Sequence, residues 1–378
     1  ADPYVGKLTY FRVYTGSIDS NSQVWNVTRG GVERIGQLFM LRGKTQEPVS
    51  QLRAGDIGAV AKLSLTITGD TLCPRDRPVE IAPIIFPEPT FNQAVHPKTK
   101  ADLDKLGAAL SRLSEEDPTL QVHREADTGE TILSGIGETH LEVAADKMLR
   151  KFGVGVELKT PKVPYKETIA IPAKAEYKHK KQTGGHGQYG HVFLDLEPLP
   201  RGSGCEFSDR VVGGRIPKNY IPAVEKGVNE AAQEGVLAGY PVADIKATVY
   251  DGSYHPVDSS DICFKIAGAQ ALRKGLSQGQ PILLEPIMNI RVTLPEDFTG
   301  EIIGDLNTKR ARVQGMNPEG RINVIEAQVP LAEILRYAID LKSITQGRGS
   351  YTTEFSHYEE VPPSIAQRII AERQAEKT

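Results

Sequence analysis

The sequence has few cysteines, no long apolar run and almost no net charge, and each of these absences excludes a class of protein. Its cysteines, Cys73, Cys205 and Cys263, lie far apart and form no Cys-x-x-Cys pair. This pattern disfavours a structural zinc site and indicates buried thiols in a reducing compartment. No stretch approaches the ~18 consecutive apolar residues that a membrane span requires, and no secretory signal is recognisable. We therefore expect a cytoplasmic protein with no membrane partner.

The net charge of the 378 residues is only −3. Because this charge provides no chain-wide attraction to nucleic acid, any contact with RNA has to come from local patches. The nucleotide-binding pattern Gly-x-x-x-x-Gly-Lys-Ser/Thr is also absent from the sequence. The sequence therefore predicts no phosphate-binding loop of this type and no catalytic site.

The composition changes along the chain, which at 41.3 kDa is long enough for about two to four domains. Residues 1–83 alternate apolar and polar positions between Gly, Asp and Asn turns, which predicts a small β-barrel. Residues 84–161 follow a proline-rich joint and predict the order β-α-β-β-α-β, which is the ferredoxin-like or split βαβ plan. The same element order recurs in residues 284–378, including a terminal helix over residues 364–377. The fold class is therefore α+β and multidomain.

Individual helices in these regions have recognisable start and stop signals. Thr99 and Asp102 have the form of a capping box. The leucines that follow at helical spacing are Leu103, Leu106, Leu110 and Leu113. A second helix is predicted over residues 138–152 with Gly153 as its stop, and Pro330 is predicted to begin a helix that extends to residue 341.

Residues 162–283 differ from both ferredoxin-like regions. They predict a glycine-rich loop, a helix near residues 220–234 and a strand over residues 242–250. A turn over residues 250–256 and a helix over residues 261–274 complete this region.

The glycine-rich stretch, residues 181–191, raises two chemical possibilities that its surroundings disfavour. A phosphate-binding loop should open a helix, whereas residues 189–196 read as a strand. A metal site could be built from His179, His186 and His191, but lysines crowd the stretch and no carboxylate is interleaved. Neither possibility explains the segment.

Contact with RNA fits the stretch better. The lysines that precede the glycines, Lys178, Lys180 and Lys181, form a basic stem. Glycines let a backbone approach a phosphate or a flat base closely, and the glutamines, tyrosine and histidines add hydrogen bonds and stacking. A tight hairpin with solvated lysines explains the composition equally well, so composition alone leaves both hypotheses open.

A second polar segment lies just before the predicted helix at residue 261. His255 and Asp258 could form a catalytic pair, and Ser259 and Ser260 follow them. Because both serines precede a predicted helix start, helix capping explains them better than nucleophilic catalysis does.

A series of motifs resembles the translational elongation factor G family along the whole chain. In order they are Asp2-Pro-Tyr-Val-Gly-Lys-Leu-Thr-Tyr-Phe-Arg-Val-Tyr-Thr-Gly16, Arg53-Ala-Gly-Asp-Ile57, Thr68-Gly-Asp-Thr-Leu-Cys73, Phe86-Pro-Glu-Pro89, Pro97-Lys-Thr-Lys-Ala-Asp102, Glu116-Asp-Pro118, residues 182–192, Gly239-Tyr-Pro-Val-Ala-Asp244, Gly252-Ser-Tyr-His-Pro-Val-Asp-Ser-Ser260, Leu284-Glu-Pro-Ile-Met288, Gly304-Asp-Leu306 and Ser350-Tyr-Thr-Thr-Glu-Phe355. Their order and spacing are family-like, which makes the resemblance specific.

The resemblance implies a domain for each region. Residues 1–83 correspond to domain II, a β-barrel, and residues 84–161 and 284–378 to the ferredoxin-like domains III and V. Residues 162–283 correspond to domain IV, an elongated α/β unit with a ribosomal-protein-like fold. The family's GTP-binding domain would lie upstream, so we expect a piece of a longer protein. That protein would be a ribosome-dependent GTPase using GTP and Mg²⁺, and no cofactor is expected in this chain.

The resemblance also implies partners and a site. The family promotes translocation of tRNA and mRNA on the ribosome and takes part in ribosome recycling. Its partners are ribosomal RNA, ribosomal proteins and the tRNA–mRNA duplex, and we expect a monomer. The residues matched to its duplex and decoding-centre contacts are Gln182, Gly184, Gly185, His186, Gly187, Gln188, Tyr189, Tyr254, His255, Pro256, Asp258 and Ser259. Gln182 and His255 are the foremost candidates for contact with the duplex.

Three positions depart from the family pattern. His186 stands where Arg is usual, Pro256 where Asp is usual, and Thr139 where Leu is usual. The chain would then belong either to the housekeeping factor or to a divergent paralogue. Two further functions stay open, namely a tetracycline-resistance-type ribosome protection protein and a truncated ribosome-binding regulatory module without GTPase activity.

Overall fold

The computed structural model describes residues 6–43, 45–182 and 187–377. The chain divides into two compact units. One comprises residues 1–125 and 129–161, and the other comprises residues 126–128 and 162–378. Within the described ranges, no helix is both long and apolar enough to cross a membrane.

The first unit begins with short strands only. They are β1 (Leu8–Arg12), β2 (Ser17–Asp19), β3 (Gln23–Asn26), β4 (Gly31–Arg34), β5 (Leu38–Arg42), β6 (Thr45–Val49), β7 (Gln51–Arg53), β8 (Ile57–Ala61) and β9 (Leu72–Cys73). The predicted all-β character is confirmed, and Ile35, Leu38 and Leu52 lie in the centre of its core. Among the described residues, the strands pair as β1-β8-β5-β6, β2-β7 and β4-β3-β9, and not as one closed ring.

The rest of the first unit has the predicted ferredoxin-like order. Its elements are β10 (Phe91–Pro97), α1 (Lys100–Glu116), β11 (Gln121–Arg124), β12 (Thr131–Gly135), α2 (Glu138–Lys147) and β13 (Val156–Lys159). The antiparallel sheet has the order β11-β12-β10-β13. Thr99 caps α1 by accepting a hydrogen bond from Asp102 N. Of the leucines at helical spacing, Leu103 is 58% exposed and the other three are buried. Residues 148–152 form a wider π-helical turn that ends at Gly153.

The second unit opens with an α/β layer. Its elements are β14 (Lys166–Ile169), β15 (Ala173–Lys181), β16 (Gln188–Pro198), β17 (Cys205–Asp209), α3 (Ile221–Ala232), β18 (Ile245–Ser253) and α4 (Asp261–Gln278). The sheet order is β15-β16-β18-β17, antiparallel except for the parallel β17–β18 pair that α3 connects. β18 starts later than predicted and continues through residues 250–253, which the sequence predicted as a turn. Cys205 is exposed, whereas Cys73 and Cys263 are buried as predicted.

The helices α3 and α4 pack together on one face of this sheet. Val192, Leu194 and Phe264 lie in the core between the layers and are fully buried. A Cβ at Gly227 would meet the backbone of Lys265, and one at Gly268 would lie 2.8 Å from the carbonyl oxygen of Val224. The two helices therefore touch along their backbones.

The chain ends in a second ferredoxin-like sheet. Its elements are β19 (Pro281–Pro295), α5 (Thr299–Thr308), β20 (Arg312–Glu319), β21 (Ile322–Pro330), α6 (Leu331–Ile334), α7 (Tyr337–Ile344), β22 (Ser350–Glu360) and α8 (Pro363–Lys377). The strands have the order β20-β21-β19-β22, and β14 pairs with the first residues of β19. The helix predicted after Pro330 is divided into α6 and α7, because the backbone of Arg336 has φ −117° and ψ 14° and leaves the helical conformation.

Candidate nucleic-acid interface

The glycine-rich stretch connects two paired strands at one end of the β15-β16-β18-β17 sheet. Lys181 lies opposite Gln188, and Lys180 opposite Tyr189. The stem lysines Lys178, Lys180 and Lys181 are exposed, and so is Gln182. Three predicted site residues, Gly184, Gly185 and His186, lie outside the described residues.

The second predicted loop leaves β18 at the same end of the sheet. Ser253 is opposite His191 in the neighbouring strand, so the loop that follows Ser253 lies next to the hairpin. Tyr254, His255 and Pro256 are exposed in it. We call the described residues 182, 187–190 and 254–259 the tip.

Hydrogen bonds join the two loops of the tip. The Gly187 N–H donates to Oδ1 of Asp258 over 3.0 Å, and the Tyr189 N–H donates to the Asp258 carbonyl oxygen over 2.9 Å. The Ser259 hydroxyl donates to the Tyr189 carbonyl oxygen over 2.8 Å and accepts from the His255 N–H over 2.9 Å. Asp258 and Ser259 therefore fasten the loops together, and this role was not predicted from the sequence.

Two glycines make this close approach possible. A Cβ at Gly187 would lie 2.9 Å from the Asp258 carboxylate, and one at Gly190 would lie 2.9 Å from the backbone of Cys263 in α4. Real side chains essentially never reach such distances. At Gly190 the obstacle is backbone, so glycine is needed there, whereas at Gly187 it is the end of the Asp258 side chain, which would have to shift.

His255 is held by its own loop. Its Nδ1 accepts from the Asp258 N–H over 3.2 Å and from the Val257 N–H over 3.4 Å, and the Asp258 carboxylate lies 3.2 Å away. The Nδ1 side of the ring is therefore engaged within the loop, and the half-exposed His255 side chain presents its Nε2 side outward.

Tyr189 is fixed between the loops and the basic stem. Its hydroxyl lies 2.8 Å from Oγ of Ser253, and Nζ of Lys178 lies 5.3 Å from its ring centroid. Its ring centroid is 6.4 Å from that of His255. The contribution of Ser253 was missed, because it depends on strand pairing across the sheet.

Of the three histidines considered as metal ligands, the two in the described part of the chain lie apart. His179 bonds to Oε1 of Gln188 over 2.9 Å, whereas His191 lies 3.3 Å from Glu176. Adjacent positions in the β15–β16 ladder place these two histidines on opposite faces of the sheet, so they do not converge on one metal ion.

The serines also differ from their predicted roles. Ser260 occupies the N-cap position of α4, but its side chain makes no capping bond. It lies 3.2 Å from Sγ of Cys263 instead. The hydroxyl of Ser259 contacts backbone groups of both loops, and it is therefore engaged structurally.

Family models match most of the chain. Residues 6–73 match elongation factor Tu domain 2, and residues 86–160 match elongation factor G, domain III. Residues 161–280 match elongation factor G, domain IV, and residues 282–369 match the elongation factor G C-terminus.

A crystal structure of a protein from Thermus thermophilus is similar in both sequence and fold. The identity is 44% and the TM-score is 0.83. The match covers 99% of this chain and 56% of the T. thermophilus chain. The chain therefore spans just over half the length of that protein.

Proposed function

Because the chain belongs to the elongation factor G family, we propose that it forms part of a translational GTPase that moves tRNA and mRNA through the ribosome. The joined loops of the tip are the observation that carries this proposal. GTP and Mg²⁺ would bind elsewhere in such a protein, since the nucleotide-binding pattern is absent from this sequence. We assign no step of GTP hydrolysis to these residues.

The tip would contact the tRNA–mRNA duplex in the ribosome. The amide of Gln182 and the exposed ring of His255 can form hydrogen bonds with 2′-hydroxyl groups, which are the same for every base sequence. The stem lysines can neutralise phosphates beside them. These groups would recognise the shape of an A-form duplex without selecting a codon, as translocation of every codon requires.

Asp258 and Ser259 would act from inside the tip. Their hydrogen-bonding groups are engaged with the other loop and with the His255 segment. Of the predicted contact residues, these two would position His255 and the hairpin, and the exposed Gln182 and His255 would touch RNA. The fixed loop geometry would reduce the ordering cost of binding.

Replacement of His255 tests this function in the complete factor. His255→Ala should slow translocation by about fivefold to tenfold, which corresponds to the loss of one hydrogen bond in the rate-limiting state. Ribosome-stimulated GTP hydrolysis should be unchanged, because the histidine would not take part in nucleotide chemistry. Rapid kinetics of mRNA movement and phosphate release measure both steps.

His123→Ala provides the matched control, since His123 is an exposed histidine on β11 in the other unit. It should change neither rate. Normal translocation by the His255 variant would refute the assignment of the tip. Release of tetracycline from ribosomes without translocation activity would instead identify a ribosome protection protein.

A further inference from the structure

The sheet that carries the tip has aromatic side chains on the face opposite α3 and α4. Tyr189, His191 and Phe193 occupy alternate positions of β16 and therefore share one face. The intervening residues Val192 and Leu194 are buried under the helices. We call this surface the outer face, defined by Lys174, Lys178, Tyr189, His191, Phe193 and Tyr250.

Three rings of the outer face, those of His191, Phe193 and Tyr250, form a row. The centroids of His191 and Phe193 are 4.5 Å apart, and those of Phe193 and Tyr250 are 6.0 Å apart. All of these residues are half-buried. Nζ of Lys174 lies 5.6 Å from the ring centroid of Tyr250, at one end of the row. Nζ of Lys178 lies 5.3 Å from the ring centroid of Tyr189.

The charges on this face leave a positive surplus near the tip. Asp195 lies 3.5 Å from Lys174, and Glu176 lies 3.3 Å from His191. In contrast, Lys178 and Lys180 form no ion pair with any carboxylate of the described residues. Two exposed cations therefore remain available for an anionic partner beside a row of rings.

We propose that the outer face binds single-stranded RNA. Bases would stack on the rings of β16 and on Tyr250, and phosphates would pair with Lys178 and Lys180. Aromatic rings on the central strands of an antiparallel sheet accept unpaired bases, because every base has a π-face. Bases inside a duplex are already stacked and cannot lie flat on such a sheet. This surface shares Tyr189 with the tip and Lys178 and Lys180 with the basic stem, but its stacking rings Phe193 and Tyr250 lie outside the tip.

Binding to a short RNA tests the proposal directly. The full 378-residue chain is titrated into a fluorescein-labelled single-stranded RNA, and fluorescence anisotropy gives the affinity. Phe193→Leu keeps an apolar side chain but removes the ring, and it should weaken binding about tenfold. Tyr250→Leu provides a second variant with the same expectation. Circular dichroism verifies that each variant is folded.

Three controls identify the surface. Phe355→Leu removes an exposed ring from β22, in a different sheet, and should leave the affinity unchanged. His255→Ala alters the tip, so a larger loss of affinity in this variant than in the Phe193 variant would place the RNA on the tip instead. A 2-aminopurine base in the RNA should be quenched by the unaltered chain and not by the Phe193 variant, because quenching reports stacking on a ring.

The lysines are tested by salt dependence. Replacing Lys178 and Lys180 together by Gln should reduce the slope of log affinity against log salt by about 1.4, since each phosphate contact on a single strand contributes about 0.7. No binding at all, or equal losses in the Phe193 and Phe355 variants, would refute the proposal. A large loss in the His255 variant would place the RNA on the tip, and equally strong competition by duplex RNA would show recognition of shape instead. Both results would contradict binding to the outer face.

Discussion

Glu33 shows how a single buried carboxylate stabilises the all-β region. Its side chain is 2% exposed and accepts from the backbone N–H groups of Ser64, Leu65 and Thr66 at 2.6–3.2 Å. Both hydroxyls of this segment donate to it as well. Burial raises the pKa of Glu33, but these hydrogen bonds outweigh burial and hold the pKa below its ordinary value.

A substitution at Glu33 should therefore lower the free energy of unfolding by an amount that depends on pH. Because the folded-state pKa is depressed, the stabilisation is complete above the unfolded-state pKa of about 4.3 and is lost as the pH falls through the lower folded-state value. Glu33→Gln should reduce the free energy of unfolding by about 2 kcal/mol at neutral pH. Urea unfolding at several pH values measures the difference, which should shrink in acid.

Glu80→Gln removes the same charge at an exposed position of the same unit and should have little effect. An equal loss in both variants, or a difference at Glu33 that does not change with pH, would contradict this account.

At the scale of elements, the hydrogen bonds that join the hairpin to the second loop of the tip should be sensitive to one added methyl group. Gly187→Ala would place a Cβ 2.9 Å from the Asp258 carboxylate, so this side chain has to shift and its hydrogen bond with the residue 187 N–H should weaken. We expect amide hydrogen exchange at residue 187 to be roughly fivefold faster or more, as for the loss of about 1 kcal/mol. Global stability should change by less than about 1 kcal/mol, because the core is not involved.

Gly36→Ala is the control, since a Cβ there has no atom within 4 Å. It should leave exchange at residue 187 unchanged. Unaltered protection in the Gly187 variant would mean that Asp258 does not fasten the loops.

The elements differ in how well local sequence predicts them. α1 and α2 begin where predicted, because Thr99 and the apolar spacing act within a few residues. The predicted end of β18 was wrong, because Ser253 joins the sheet by pairing with His191, which is far away in sequence. The π-helical turn before Gly153 was also missed. Cζ of Arg112 in α1 lies 5.7 Å from the ring centroid of Phe152 in that turn, and no local sequence pattern predicts this tertiary contact.

Contacts between residues far apart in sequence were also missed in the candidate site. Family motifs identified both loops, and the structure places them at one end of the sheet. The hydrogen bonds of Asp258 could not be predicted, because its partners Gly187 and Tyr189 lie about 70 residues away. The contact of individual residues with RNA stays a prediction.

For the whole molecule, the distribution of charge determines how strongly the chain should bind to ribosomes. With a net charge of −3, attraction to ribosomal RNA has to come from local groups such as the stem lysines. The chain by itself should bind ribosomes weakly, and its affinity should fall roughly tenfold or more between about 50 and 200 mM salt if three phosphates are contacted. Sedimentation with ribosomes measures this dependence.

Replacement of Lys178, Lys180 and Lys181 by Gln should flatten the salt dependence. Replacement of three exposed lysines in the other unit, Lys62, Lys100 and Lys105, should not. Binding that is insensitive to salt would contradict the role of the basic stem, and GTP turnover by the chain with ribosomes would contradict the proposed division of labour in the complete factor.

The course of α4 has a mechanical consequence. This helix begins directly after the second loop of the tip and ends two residues before β19, the central strand of the last sheet. Its 18 residues correspond to a helix roughly 27 Å long. Backbone contact with α3 at Gly227 and Gly268 supports it from the side. The tip and the last sheet are therefore joined by one continuous helix, and α3 limits its bending where the two backbones touch.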